Sequence, residues 1–441
     1  MTPITLANRW NPLDWPLTHG PIPYAVLAAG WGALLVLAVA RNRSWWSFRL
    51  PAALFTAAGI SLLLGVVVDD WWHPFPEGTP DYVTWWIAVA LVGFCLVGYR
   101  FRGISWRRRG LVLGLGSLVL LMSASQINIG FGQYPNGKIM LAPFLTDTGA
   151  KIAPKVAETA SAPPDKALSE VWTRPPGLPA KGTVSQVYIP GAKSGFVGRS
   201  AYVYLPPAYQ ASPRPLLPVL VLITGQPGTP GDWVLNAQVN ESLDAFAAEH
   251  GGLAPIVVMP DQLGSTWGNT LCMDSKIAKA QTYLAADVPD WIDKHLQTAK
   301  GRGSWAVGGA SMGGTCALQL GINAPDVYGT VLDMSGQEEP TLGTRDETVR
   351  KAFGGDQAKF EAVDPLSVMA HRKFPDTNVA IVVGRWDNDF RSGMEKVYQA
   401  VQTAGMKAKF DLVQGGHGWG AWRIGIAEQL PWIARQTGLL K

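Results

Sequence analysis

The hydrophobic pattern changes character once along the chain. In the first third, four stretches carry no Lys, Arg, Asp, Glu or His: residues 21–40, 51–68, 82–99 and 110 to about 126. Each is close to the ~20 residues that carry a helix across a bilayer core, and none keeps the polar face of a soluble amphipathic helix. Beyond residue 183 the pattern turns to short β-rich runs at 184–189, 201–205, 219–224, 256–259, 305–308, 330–334, 379–383 and 409–413. Helical spacing fills several gaps, notably 284–298, 314–323 and 393–404. Near-continuously apolar strands alternating with helices predict a mostly parallel sheet covered on both faces, with the first two runs as an antiparallel edge hairpin.

Between these regions, seven prolines lie from Pro143 to Pro179 without sustained periodicity, broken at most by a short helix around 165–172. That composition predicts a semi-extended spacer. The expected organisation is therefore an all-α membrane bundle of four helices over 1–138, a Pro-rich linker over 139–182, and an α/β domain over 183–441.

Charge sharpens this division. Of the 441 residues 47% are apolar and 16% charged, which excludes a disordered or charge-dominated nucleic-acid-binding chain, and the mean hydropathy is +0.10. Residues 1–138 hold ten Lys/Arg and five Asp/Glu, whereas the remainder holds 27 and 28, so the formal charge of +4 belongs to the membrane part. Arg41, Arg43 and Arg49 follow the first span, and Arg100, Arg102, Arg107, Arg108 and Arg109 follow the third. The loop between the second and third spans carries Asp69, Asp70, Glu77 and Asp81 and no Lys or Arg. The positive-inside rule makes the Arg-rich loops cytoplasmic, and places both the N-terminus and everything after span four on the outer side of the plasma membrane. Ten of the 19 Trp precede residue 107, with pairs at 45/46, 71/72 and 85/86 near span ends, where indoles favour the headgroup region. Charges follow the first apolar run instead of preceding it, unlike a cleavable signal peptide. No span contains an ionisable residue, so the bundle reads as an anchor or a partner contact through Gly110, Gly114 and Gly116, with Gln126 and Asn128 its most polar members near the end of span four.

The richest chemistry lies at 305–320. An apolar strand runs into Gly309-Ala310-Ser311-Met312-Gly313 and directly on into a helical pattern, the strand-turn-helix setting of a G-x-S-x-G nucleophile elbow. A serine needs a base, and the chain order Ser, acid, His removes His19, His73, His250 and His295. His371 precedes the run at 379–383, whereas His417 follows the last run in a Gly-rich loop and is the expected base. The acid belongs after the preceding strand, in Gly384-Arg385-Trp386-Asp387-Asn388-Asp389; Asp387 is favoured and Asp389 is the alternative. Backbone N–H groups of Met312 and of Gln226, in the loop after the third run, are the candidate oxyanion donors. Trp267, Trp386 and Trp419 are candidate apolar residues near the mouth of the site. Cys272 and Cys316, on the outward domain, form a possible pair, with Cys95 inside span three. Metal-ligand and dinucleotide motifs are absent, so no metal or cofactor is expected.

These residues resemble the esterase D and antigen 85 mycolyltransferase branch of the α/β-hydrolases. The resemblance runs from about Ser200 to Trp422: Pro218-Val219-Leu220-Val221-Leu222 before Thr224-Gly225, Asp232-Trp233, Val257-Val258-Met259-Pro260, the Ser311-Met312-Gly313 elbow, Tyr328-Gly329-Thr330-Val331 with Ser335-Gly336, and Gly416-His417-Gly418-Trp419 with Trp422. Esterases of this branch often carry His-Gly after the third strand and mycolyltransferases Asp-Gly, where this chain has Thr224-Gly225. Four spans before such a domain look like an arrangement in actinobacterial envelope esterases. The resemblance implies an α/β-hydrolase acting on an ester, such as that of an envelope lipid or acylated glycan, by hydrolysis or acyl transfer. The contrasting expectation is a catalytically idle hydrolase-fold domain that binds envelope polymer or a protein. The near-neutral outer domain gives no support for a nucleic-acid partner and fits a neutral or lipid-like ester.

Overall fold

The computed structural model describes residues 11–72, 78–101, 103–145 and 152–441. Glu77 and Arg102, used above to read the loops, and His73, set aside as a base, lie outside the described residues. The chain divides into two compact units, Met1–Thr146 and Asp147–Lys441.

The first unit contains four long apolar helices: α1 (Pro21–Ala38), α2 (Leu50–Val66), α3 (Asp81–Phe101) and α4 (Trp106–Phe131). Wider helical turns at Trp45–Arg49 and Val67–Trp72 extend α2, so the second span runs over Trp45–Trp71. All four are long and apolar enough to cross a membrane. Their exterior differs from that of a soluble bundle. Large apolar side chains such as Phe55, Leu62 and Phe94 face outward, while the interior mixes small residues, including Gly30, Ala33, Ala53 and Ala57, with Leu37, Leu96, Val119 and Met122. This is how a bundle packs when lipid removes the penalty on an apolar exterior. Close approach runs through Gly30 against Met122, Gly93 against Val119 and Gly116 against Val97. Of the expected small-residue face, Gly116 is the member that packs against a neighbouring helix, while Gly110 and Gly114 meet nothing within 4 Å. The open carbonyls ending α1 are capped from outside the helix. Arg100 Nε donates to Leu37 O at 2.8 Å, Trp45 Nε1 to Ala38 O at 2.6 Å and Trp46 Nε1 to Ala40 O at 2.7 Å.

The second unit is built on an eight-stranded sheet. Its strands are β1 (Thr183–Val187), β2 (Ala201–Leu205), β3 (Val219–Ile223), β4 (Ile256–Met259), β5 (Trp305–Ala310), β6 (Thr330–Met334), β7 (Asn378–Gly384) and β8 (Lys407–Val413). The spatial order is β8-β7-β6-β5-β3-β4-β2-β1. β1 pairs antiparallel with β2 and β2 antiparallel with β4, and the other neighbours are parallel. Every residue of β3, β4, β5 and β6 is buried, as a parallel sheet covered on both faces requires. The covering helices include α5 (Val239–Glu249), α6 (Val288–His295), α7 (Met312–Asn323), α8 (Asn388–Thr403) and α9 (Trp419–Gln436). α7 runs through the interior, buried from Met312 to Ile322. After β6 the chain makes an excursion through helices Arg345–Phe353 and Gln357–Glu361, whose Val349, Phe353 and Phe360 cluster with Leu271 and Met273 from the segment after β4.

The Pro-rich segment expected as a spacer differs from that expectation. From residue 152 it lies on the second unit: Thr159–Ala160 pairs parallel with Arg214–Pro215, and Val156 N–H donates to Gln297 Oε1 at 2.9 Å. Leu168 is buried, the Leu168 and Ser169 N–H groups donate to the Gly438 and Leu439 carbonyls, and Trp172 Nε1 donates to Gly251 O. Prolines leave few backbone donors and a preset extended backbone, which suits a strap as well as a spacer. Of the anchoring side chains, Leu168 opens the short helix Leu168–Val171 and Trp172 follows it, within the 165–172 stretch where a short helix was expected.

Candidate active site

β5 ends at Ala310 and α7 begins at Met312, leaving Ser311 alone at the turn with φ 55° and ψ −128°. A non-glycine residue rarely takes a positive φ, and the strain is held by close packing around it. The flanking glycines are sterically required. A Cβ on Gly309 would stand 2.0 Å from Gly313 O, and one on Gly313 would stand 2.1 Å from Ile223 O. Ser311 N–H donates to Met334 O at 2.8 Å, which ties the turn to β6.

His417 comes from the loop between β8 and α9. Its Nε2 lies 2.9 Å from Ser311 Oγ and its Nδ1 lies 2.9 Å from Asp387 Oδ2. The Asp387 side chain is 1% exposed and that of His417 25%. An ionised carboxylate only accepts, so the Nδ1 position carries the proton and Nε2 presents its lone pair to the serine hydroxyl. The loops bearing the acid and the histidine are joined by backbone bonds: Arg385 N–H to Val413 O at 2.8 Å and Trp386 N–H to Gly415 O at 3.0 Å. Of the sequence alternatives, Asp389 is exposed in the first turn of α8, and His371 is exposed at the end of the helix Pro365–His371. Phe390 stacks on the imidazole with ring centroids 3.8 Å apart, and Trp422 meets it edge-on at 5.1 Å.

The loop after β3 closes on the serine. A Cβ on Gly225 would lie 3.2 Å from Ser311 Cβ, so Gln226 follows directly on a backbone packed against the turn. Met312 opens α7, and the first N–H groups of a helix have no intrahelical acceptor. Trp267 and Trp386 are 47% and 65% exposed, but Trp419 is only 6% exposed and packs on Trp233 and Trp422. Trp419 is therefore core and does not line the mouth, because α9 begins at this residue and turns its ring inward.

Cys272 and Cys316 are joined by a disulfide with Cα atoms 5.5 Å apart, linking the segment after β4 to the second turn of α7. Cys95 is free. Asp333 was not singled out from the sequence. It is fully buried, its Oδ1 accepts from Gly336 N–H at 2.9 Å, and burial raises its pKa to about 7. Phe390 was also missed, since an aromatic one turn into a helix carries no chemical signature. Among the described residues, no group of three or more His, Cys, Asp or Glu is placed to hold a metal ion.

The sheet order and the strained serine between β5 and α7 define an α/β-hydrolase with a serine nucleophile elbow. Residues 198–433 match the Esterase family model, and the chain belongs to that family. Membership implies an ester substrate and a serine hydrolase or acyltransferase chemistry. The chain is 36% identical over 440 residues to an uncharacterized protein of Corynebacterium glutamicum, spanning 98% of this chain and 99% of the relative. Among solved structures, it is similar in fold to a ferulic acid esterase, at 21% identity and a TM-score of 0.50, over 58% of this chain and 99% of that one. An S-formylglutathione hydrolase from Agrobacterium tumefaciens aligns at 18% identity and a TM-score of 0.48, over 59% of this chain and 97% of that one.

Proposed function

We propose that the chain is a membrane-anchored serine esterase or acyltransferase whose hydrolase unit faces outward and acts on a neutral, lipid-like ester of the cell envelope. The observation that carries the reading is the continuous Asp387–His417–Ser311 relay, with 2.9 Å at each step. Ser311 Oγ attacks the ester carbonyl as His417 Nε2 takes its proton, and Asp387 holds the resulting imidazolium. The N–H groups of Gln226 and Met312 receive the oxyanion. His417 returns the proton to the departing alcohol, leaving an acyl group on Ser311. Water or an envelope hydroxyl, deprotonated by His417, then releases it.

Three features support the setting. The four apolar helices fit a multi-pass membrane protein, and the Arg-rich connections after spans one and three argue for an outward C-terminal unit. A disulfide in that unit suits an oxidising compartment. The balance of 27 basic and 28 acidic residues beyond residue 138 offers no field to attract a strongly charged substrate. We further propose that the working hydrolase domain starts with the strap near residue 152 and not at 183.

The test is turnover of p-nitrophenyl acyl esters by the full chain in detergent, with fluorophosphonate labelling in parallel. Wild type is expected to turn over and label, and Ser311→Ala to do neither; equal turnover by the variant would refute the assignment. Protease added outside intact cells should cleave the hydrolase unit, and protection there would reverse the proposed orientation.

A further inference from the structure

The loop at 224–229, whose Gln226 N–H is proposed above to receive the oxyanion, has no regular structure of its own. It is held from outside, and one guanidinium does much of the holding. Arg199, two residues before β2, donates from Nε to Asp261 Oδ2 and from Nη2 to Asp261 Oδ1, both at 2.8 Å. Its backbone N–H also donates to Asp261 Oδ2 at 2.7 Å. The guanidinium then reaches the loop itself, with Nη2 3.0 Å from Gly228 O, and it reaches Thr266 Oγ1 from Nη1 at 3.2 Å. The same segment returns the contact: Thr266 O accepts from Gly228 N–H at 3.0 Å, and Trp267 O accepts from Gln226 Nε2 at 3.2 Å. Gln262 Nε2 donates to Thr224 O at 2.6 Å. Three separate pieces of chain, before β2, after β3 and after β4, thus meet at Arg199.

The chemistry of this junction is specific to arginine. The Asp261 side chain is fully buried, so its carboxylate needs a paired cation, and the planar fork supplies two parallel bonds while leaving N–H groups over for a carbonyl and a hydroxyl. A lysine side chain is one bond shorter, so its ammonium meets the carboxylate but stops short of the Nη2 position from which Gly228 O is reached. Gly228 lies two residues beyond Gln226, so the position of the Gln226 N–H follows from where Gly228 is pinned.

We infer that Arg199 is a positioning residue for the oxyanion donor, carrying the fixed location of Asp261 through Gly228 to the Gln226 N–H. The inference rests on the reaction proposed above. A donor displaced by a fraction of an ångström binds the ground-state carbonyl almost as well but loses its aim at the developing oxyanion, so the loss falls on kcat.

The experiment uses the full chain in detergent with p-nitrophenyl butyrate, active sites being counted by fluorophosphonate titration. Arg199→Met keeps the aliphatic stem, and Arg199→Lys keeps the charge beside Asp261, so the second serves if the first does not fold. In the Lys variant kcat per titrated site should fall about 10-fold or more, with KM changed less than about twofold, since loss of a whole oxyanion donor costs about 10²–10³. Affinity for an alkylboronic acid, whose tetrahedral serine adduct occupies the oxyanion site, should fall by the same factor as kcat/KM. Wild-type kcat per site and unchanged boronate affinity in the Lys variant would overturn the inference while leaving the hydrolase reading intact. A wild-type chain that neither titrates nor turns over would overturn that reading and the inference with it.

Discussion

Phe390 lies flat on the imidazole of His417, with ring centroids 3.8 Å apart and planes 18° from parallel. With Trp422 edge-on at the same ring, the imidazole is fixed by two aromatic surfaces as well as by Asp387. Phe390→Ala should lower kcat about two- to tenfold by loosening that orientation, an effect of the size of an aromatic pair of about 0.5–1.5 kcal/mol. Phe390→Tyr should stay near wild type. Steady-state kinetics with a chromogenic ester separate the two, and an Ala variant with full kcat would show the stack to be incidental.

Asp387 and Asp389 are two residues apart, yet only Asp387 is buried against His417. Asp387→Asn should reduce kcat by about 10⁴-fold, because an amide favours the wrong imidazole tautomer. Asp389→Asn should leave kcat within about twofold, as for an exposed side chain outside the relay. Parallel kinetics on the two variants check this, and equal losses would mean that the acid is shared.

The Cys272–Cys316 bond closes a loop of sequence separation 44. Constraining an unfolded chain over that length is worth about 4 kcal/mol in the chain-entropy treatment. Cys272→Ala/Cys316→Ala should therefore lower the thermal midpoint of the hydrolase unit by many degrees while leaving the folded fraction able to react with a fluorophosphonate. A midpoint unchanged from wild type would show that the bond adds nothing to stability.

Asp333 sets a pH dependence of stability. In the folded chain, burial keeps its proton up to about pH 7, whereas an unfolded aspartate releases it near 4. The folded state binds more protons between those values. This contribution is therefore full below about pH 4, falls as pH rises, and levels off above about pH 7, a span of about 4 kcal/mol. Asp333→Asn keeps the acceptor for Gly336 N–H and cannot ionise. It should show a smaller loss of thermal midpoint between pH 5 and pH 8 than wild type, and parallel curves would contradict the assignment.

Much of this architecture is legible in the sequence because its causes are local. Charge-free runs mark the four helices, and apolar runs mark β1 to β8 to within about two residues. The Ser311 turn is legible because its crowding admits only glycine at 309 and 313. What stayed hidden depends on contacts between distant segments. The sequence favours Asp387 but leaves Asp389 open, and only the start of α8 shows that Asp387 is the side chain turned inward toward His417. Trp419 reads as a rim residue until α9 is seen to begin there. Arg199 and Asp261 are 62 positions apart, and nothing in either neighbourhood announces the other. Outside the short helix Leu168–Val171 the strap over 152–172 has no period, since its contacts are single side chains and backbone groups placed on a surface made by the rest of the unit.

The proposed relay from Asp387 through His417 to Ser311 requires an acyl group held on Ser311 during turnover. Acid quenching of the full chain during turnover of a p-nitrophenyl ester, followed by mass spectrometry of its peptides, reads this intermediate. The expected result is a mass increase of one acyl group on the peptide containing Ser311, absent from Ser311→Ala. Continued turnover with the acyl group on another residue, or turnover that survives in Ser311→Ala, would contradict it.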